Sequence, residues 1–303
     1  MTGHLQVRSP WSQLGIFLGL FGAAFLFSSL GMVAVLLSKG ISPQNMDLTN
    51  PRILPTVKWI QAVSSVTIFL LPAVVFAKLV FTGKQAYFLG FRPAQRELMY
   101  ILAVAVILFA FPFVFWLGEL NQSIELPSWM KGLEKDATAQ MEAFLKTNST
   151  IDVFINVFII ALLPAVCEEV CFRGVLQRIM IQLFRNPWNG IITAAIIFSA
   201  LHFQFQGFLP RMFLGILLGA LYWFSGSLWP SIIAHFVNNA VQVVAVSYAP
   251  EYIKESPALP WYAALASFLL VAGVIWFYQK ISVSKYSKVY EIDELNESNQ
   301  WLA

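Results

Sequence analysis

Charge is what this sequence has least of. Only 12% of its 303 residues are Asp, Glu, Lys or Arg, about half the fraction usual in a soluble domain. Hydrophobic residues make up 58%, and the mean hydropathy is +0.69. That balance excludes a water-soluble enzyme and a disordered chain. The 19 Lys and Arg against 16 Asp and Glu leave +3, too weak a field for DNA or RNA, so no nucleic-acid partner is expected. Cysteine is nearly absent: Cys167 and Cys171 sit four apart in one apolar segment, on one helix face and badly placed for a bridge. They read as small apolar packing residues, with a two-thiolate metal site as the other reading. There is no H-E-x-x-H, no Gly-rich phosphate loop and no G-x-S-x-G turn around Ser199 or Ser231, which removes the common zinc-protease, nucleotide and serine-hydrolase signatures.

What is present is hydrophobic length. About 20 apolar residues in a helix cross a bilayer, and eight runs qualify: 12–37, 56–81, 99–120, 151–176, 189–206, 208–225, 228–249 and 260–282. The fold expected is all-α, a polytopic membrane helical bundle of about eight transmembrane helices with a polar interior cavity. Residues 1–283 form a single membrane domain, and 284–303 an acidic, mobile tail. The first run is too long for a secretory signal and reads as a retained anchor. Between the third and fourth runs, Trp129, Leu133, Ala137, Met141 and Leu145 recur every four residues among charges, which suits a helix lying on the membrane surface; a solvated loop helix is the other reading. Counting Lys and Arg near the span ends puts 11 of 19 on the side of both termini, so both termini are expected in the cytoplasm.

Ionisable side chains inside spans are costly and mark sites or mutual pairs. In the second half of the chain they fall into three patterns: EEVCFRG at 168–174, FSALH at 198–202 and HFVNN at 235–239. Pro164 is expected to bend the fourth run just before the first of them. Glu169 and Arg173 are four apart and can pair along one face. Glu168 points about 100° away from Glu169 and is the carboxylate left for chemistry. Phe198 shares a face with His202, and His235 with Asn239. A desolvated carboxylate beside a histidine can hold a water and take its proton, while a second imidazole and an amide donate to an oxyanion. Buried carboxylates and histidines also serve proton-coupled carriers, which leaves transport as the competing class.

Taken together, Glu168-Glu169-x-x-x-Arg173, Phe198-x-x-x-His202 and His235-x-x-x-Asn239 resemble the CPBP or Abi family of intramembrane endopeptidases, related to the type II CAAX prenyl protease. The resemblance covers residues 150–249. Phe172-Arg173-Gly174 and the upstream Leu89-Gly90-Phe91-Arg92-Pro93 look like its prokaryotic branch. What the resemblance implies is an interior cavity open to the cytoplasm and membrane. Glu168 and His202 would activate water there, His235 and Asn239 would form the oxyanion site, and Glu169 with Arg173 would set the local field. It further implies a prokaryotic cell membrane and a membrane-associated peptide or protein substrate, lipidated or not. No cofactor is expected. The alternative is a Zn2+ site built from Glu168, His202 and His235. A non-catalytic immunity or scaffold protein is the remaining class.

Overall fold

A computed structural model describes residues 5–42, 48, 50, 52–147, 149–249, 259–286 and 289. His4 and most of the acidic tail, expected to be mobile, lie outside them. Ten helices make up the described chain: α1 (Pro10–Ser38), α2 (Leu54–Val80), α3 (Gln85–Leu89), α4 (Leu98–Gln122), α5 (Ser128–Leu145), α6 (Thr150–Phe184), α7 (Pro187–Ala200), α8 (Phe208–Ser225), α9 (Leu228–Tyr248) and α10 (Trp261–Lys280). The described residues contain no strand, only an isolated antiparallel bridge between Leu5 and Phe81. This is the expected polytopic helical bundle, and the chain is an integral membrane protein.

Among the described residues, seven helices are long and apolar enough to cross a membrane. The run at 189–206 differs: its helix is the 14-residue α7, which stops at Ala200. At 1.5 Å per residue α7 is only about 21 Å long, against a hydrocarbon core of about 30 Å. Hydropathy alone does not see the break, because Leu201, Phe203 and Phe205 carry the apolar run on while the backbone leaves the helix between Ala200 and Phe208.

Local chemistry sets the helix ends. Ser149, Asn186 and Ser227 cap α6, α7 and α9 by accepting the N–H of Asp152, Asn189 and Trp229, and Pro187 supplies a preset φ at the start of α7. Gly226 ends α8 in a left-handed conformation, φ 65°. Inside α6 the helix widens twice into π turns, Val157–Leu162 and Val170–Gln177. Pro164 has no N–H, so the turn before it loses its ordinary bond and relaxes to a wider one.

The bundle packs α7 on α8, α4 on α9 and α10, and α6 on α9. Gly219 opens the face of α8 toward Gln177 of α6, and Gly215 the face toward Ala195 and Phe198 of α7. Arg173 Nη2 donates to the Gly215 carbonyl at 3.1 Å, and Gln177 Nε2 to that of Gly219 at 3.0 Å. A Cβ on Gly219 would stand 2.5 Å from Gln177 Oε1. Small residues thus let two polar side chains reach backbone oxygen in the apolar interior.

One end of the bundle is solid. Every residue from Cys167 to Ile181 of α6 and from Leu217 to Ser225 of α8 is buried, whereas Thr150–Val166 and Phe208–Leu214 are mixed or half-exposed. The loop Leu89–Pro93 is wedged into the solid end. Gly90 O accepts the N–H of Leu228 at 2.9 Å, Tyr222 OH donates to Leu89 O at 3.3 Å, and Arg92 Nε donates to Gly226 O. Beside it Gln95 Nε2 donates to Ser284 Oγ at 2.7 Å. The Leu5–Phe81 bridge and Ser284 therefore lie at this end. Helix α5 lies across the other, against α2, α6, α9 and the Phe205–Gly207 turn.

Candidate active site

The floor of the site is the stretch of α6 between its two π turns. Glu168 is 8% and Glu169 0% exposed. Glu169 Oε1 meets Arg173 Nη1 at 2.8 Å and His235 Nδ1 at 2.9 Å. The spacing predicted the first contact; the second is tertiary, joining α6 to α9. Arg173, 2% exposed, also lies over the Phe198 ring at 4.7 Å, so its charge has a carboxylate, a carbonyl and a π face around it.

Phe198 explains itself in this geometry. Its ring sits 4.8 Å from that of His202 and 6.0 Å from that of His235, and its carbonyl receives His202 Nδ1 at 2.8 Å. His202 stands in the turn just past α7. A carbonyl oxygen only accepts, so His202 carries its proton on Nδ1 and leaves a lone pair on Nε2. The Glu169 carboxylate imposes the same tautomer on neutral His235. Both Nε2 atoms approach one point: Glu168 Oε2 is 4.0 Å from that of His202 and 3.9 Å from that of His235.

These distances test what the three groups can hold. Ligands of a tetrahedral zinc, at bonds of about 2.0–2.2 Å, stand roughly 3.4 Å apart. The observed 3.9 and 4.0 Å are wider, and among the described residues no three His, Cys, Asp or Glu side chains are grouped to hold a metal ion. The residues do not fit zinc as placed. A water about 2.8 Å from each partner subtends roughly 90° across the same gap, so the spacing suits a hydrogen-bonded water. Cys167 and Cys171 are free, buried thiols.

Asn239 is the member that the structure does not tie to the other five. Its Oδ1 accepts Asn238 Nδ2 at 3.0 Å, and among the described residues it makes no hydrogen bond to Glu168, Glu169, Arg173, His202 or His235. With its oxygen taken, its NH2 is the end available to donate. Asn238 was in the HFVNN pattern without a role; it orients its neighbour. Arg211 escaped the sequence reading altogether. It lies within electrostatic reach of Glu168 and grips Gln204 through both O, at 3.3 Å, and Oε1, at 2.7 Å. A lone charge in the apolar run 208–225 was its available signal.

The match to a known protein family falls on this region. Residues 150–241 match the family model described as type II CAAX prenyl endopeptidase Rce1-like. An uncharacterized protein of Bacillus subtilis strain 168, YpbD, is 36% identical over 90 residues, covering 28% of this chain and 43% of that protein. The chain thus spans less than half the length of this curated relative. No solved structure matches. The matched segment contains Glu168, Glu169, Arg173, His202, His235 and Asn239, so the resemblance read from the motifs holds: residues 150–241 are similar to the Rce1-like, type II CAAX prenyl endopeptidase family.

Proposed function

We propose that the protein is an intramembrane endopeptidase that hydrolyses a peptide bond with water held between Glu168 and His202. The observation that carries the reading is the convergence of two imidazole Nε2 atoms on Glu168 Oε2 at 3.9 and 4.0 Å, each ring fixed by a partner on Nδ1. His202 Nε2 accepts a hydrogen bond from one O–H of the water and orients it, and that proton stays on the oxygen; Glu168 takes the other proton as the oxygen forms its bond to the carbonyl carbon. The C=O π pair moves to oxygen, and the resulting oxyanion accepts from the Asn239 amide. His235 adds a second donor only when doubly protonated, because its Nδ1 proton is committed to Glu169. Collapse breaks the C–N bond, and the proton on Glu168 passes to the leaving nitrogen, so an acid and an amine leave. Glu169 and Arg173 hold the field and the His235 ring.

The substrate we infer is a membrane-associated peptide or protein, lipidated or not, met in a prokaryotic cell membrane; the Bacillus relative favours that setting. The match to an endopeptidase family weighs against a proton-coupled carrier and against an idle scaffold. The test uses purified protein in nanodiscs with two probes, a farnesylated peptide ending in a CAAX sequence and an unlipidated membrane peptide. Glu168→Gln and His202→Ala should each abolish cleavage while thermal unfolding stays within a few degrees of wild type; full activity in either overturns the assignment. Chelation with phenanthroline should leave the rate unchanged. Loss of activity that zinc restores would make the three residues a ligand set instead.

A further inference from the structure

We propose that Glu134, on the surface helix α5, is a positioning residue for His202. The proposal rests on reading His202 as the group that orients the attacking water. His202 is the one histidine of the site outside regular helix, and the backbone that carries it does not hold itself. Phe203, the next residue, has φ 53°, a left-handed conformation that costs a non-glycine residue of order 1 kcal/mol or more and persists only under outside constraint.

That constraint is visible on both sides of the turn. Upstream, the His202 ring is bonded to Phe198 O, and the N–H groups of His202 and Phe203 reach Ser199 O and Ala200 O at 3.3 and 3.1 Å. Downstream, the restraint comes from three other helices. Asn121 at the end of α4 donates to Phe205 O at 2.8 Å and accepts Leu209 N at 2.7 Å. Arg211 of α8 holds Gln204. Glu134 Oε2 accepts the N–H groups of Phe205 at 2.7 Å and Gln206 at 3.3 Å. It acts as an N-terminal cap donated by a different helix, with its charge at the favourable end of the Phe205–Gly207 turn and α8.

The way α5 is mounted gives this contact its consequence. Its C-terminal half is anchored: Phe144 and Leu145 are buried, and Leu145 packs with Val243 and Val246 of α9. In its N-terminal half, 128–136, every residue except Met130 and Glu134 is exposed. That half reaches the His202 turn through Glu134 and through the Trp129 ring, 5.7 Å from Phe205. Removing the carboxylate frees two N–H groups and loosens the turn between fixed points. The gap that His202 Nε2 must keep to Glu168 Oε2 is 4.0 Å, and a displacement of about 1 Å at such a gap can cost a hundredfold in rate.

The experiment compares Glu134→Ala, Glu134→Gln and the exposed-site control Asp136→Ala in nanodiscs, with the same two peptide probes. Glu134→Ala should lower kcat by about tenfold or more while KM holds within about twofold. Glu134→Gln keeps an acceptor oxygen and should recover most of the rate, which a loss of fold would not allow. A second readout needs no turnover. The chain has three histidines, so ring resonances of 15N-histidine protein are assignable with His202→Ala. The His202 signals should shift and broaden in Glu134→Ala, stay in Asp136→Ala, and leave those of His235 in place. Wild-type kcat together with unchanged His202 signals in Glu134→Ala overturns the proposal. If wild type cleaves neither probe, the endopeptidase reading falls alone, and the histidine resonances decide the role of Glu134 by themselves.

Discussion

Glu169 Oε1 serves two partners at once, Arg173 at 2.8 Å and His235 at 2.9 Å, in a place with no exposure at all. A carboxamide there would leave the buried guanidinium without its counter-charge and weaken the restraint on the His235 ring. Breaking one member of such a buried pair costs about 3–5 kcal/mol. Glu169→Gln should therefore lower folding yield and thermal stability as well as activity, where Glu168→Gln lowers activity alone; a well-expressed Glu169→Gln protein with wild-type melting would count against the shared bond. The two adjacent glutamates were separable from their sequence because i,i+4 spacing reaches Arg173 from Glu169 and not from Glu168. Nothing local announced His235 as the second partner, since it stands 66 positions further along the chain.

At the scale of elements, the Leu89–Pro93 loop shows how a motif without chemistry still shapes the site. Gly90 sits at φ 110°, and a Cβ there would stand 2.8 Å from Tyr222 Cε2. The added carbon would push α3 away from the α8–α9 turn and from Gly174, whose own missing Cβ lets Leu89 O approach. Gly90→Ala should destabilise the protein by about 1–3 kcal/mol through strain and overpacking, read as an earlier thermal transition; an unchanged transition would mean the loop is not held as described. The sequence offered this loop only as a resemblance. Likewise Gly215 and Gly219 stood in plain view, but their use appears only once Arg173 and Gln177 are seen to reach their carbonyls. The π turns in α6 were illegible beforehand for a different reason: hydropathy patterns assume 3.6 residues per turn and carry no record of a widened one.

For the whole molecule, the packing has a direction. Leu5 and Ser284, near the two ends of the described chain, lie at the solid end, with α3 and the α8–α9 turn. The turn bearing His202 is held at the opposite end, by Asn121 and Glu134. Two expectations from the sequence bear on this direction, termini in the cytoplasm and a site open to the cytoplasm, and labelling from each side of the membrane tests them. Cysteines placed at Lys131 on α5 and at Arg185 after α6, both exposed, should react with an impermeant maleimide from opposite sides of intact vesicles. Labelling of both from one side would contradict the packing, and the side on which Lys131→Cys reacts tells which way the His202 turn faces.

Composition and spacing alone determined that the chain lies in a membrane as a helical bundle, and which six polar side chains have to be accounted for. Both follow from single-residue costs: an apolar run of sufficient length is stable only in lipid, and an ionisable group inside it needs a partner. The tertiary structure decided everything that depends on two helices meeting. It made α7 too short to cross, brought His235 to Glu169, fixed both imidazole tautomers, set the 3.9 and 4.0 Å gaps around Glu168, and put Arg211 and Glu134 within the reach of the site. Such contacts arise from the side chains of distant segments filling one low-dielectric space, where each group's partner is chosen by packing and not by its neighbours in the chain.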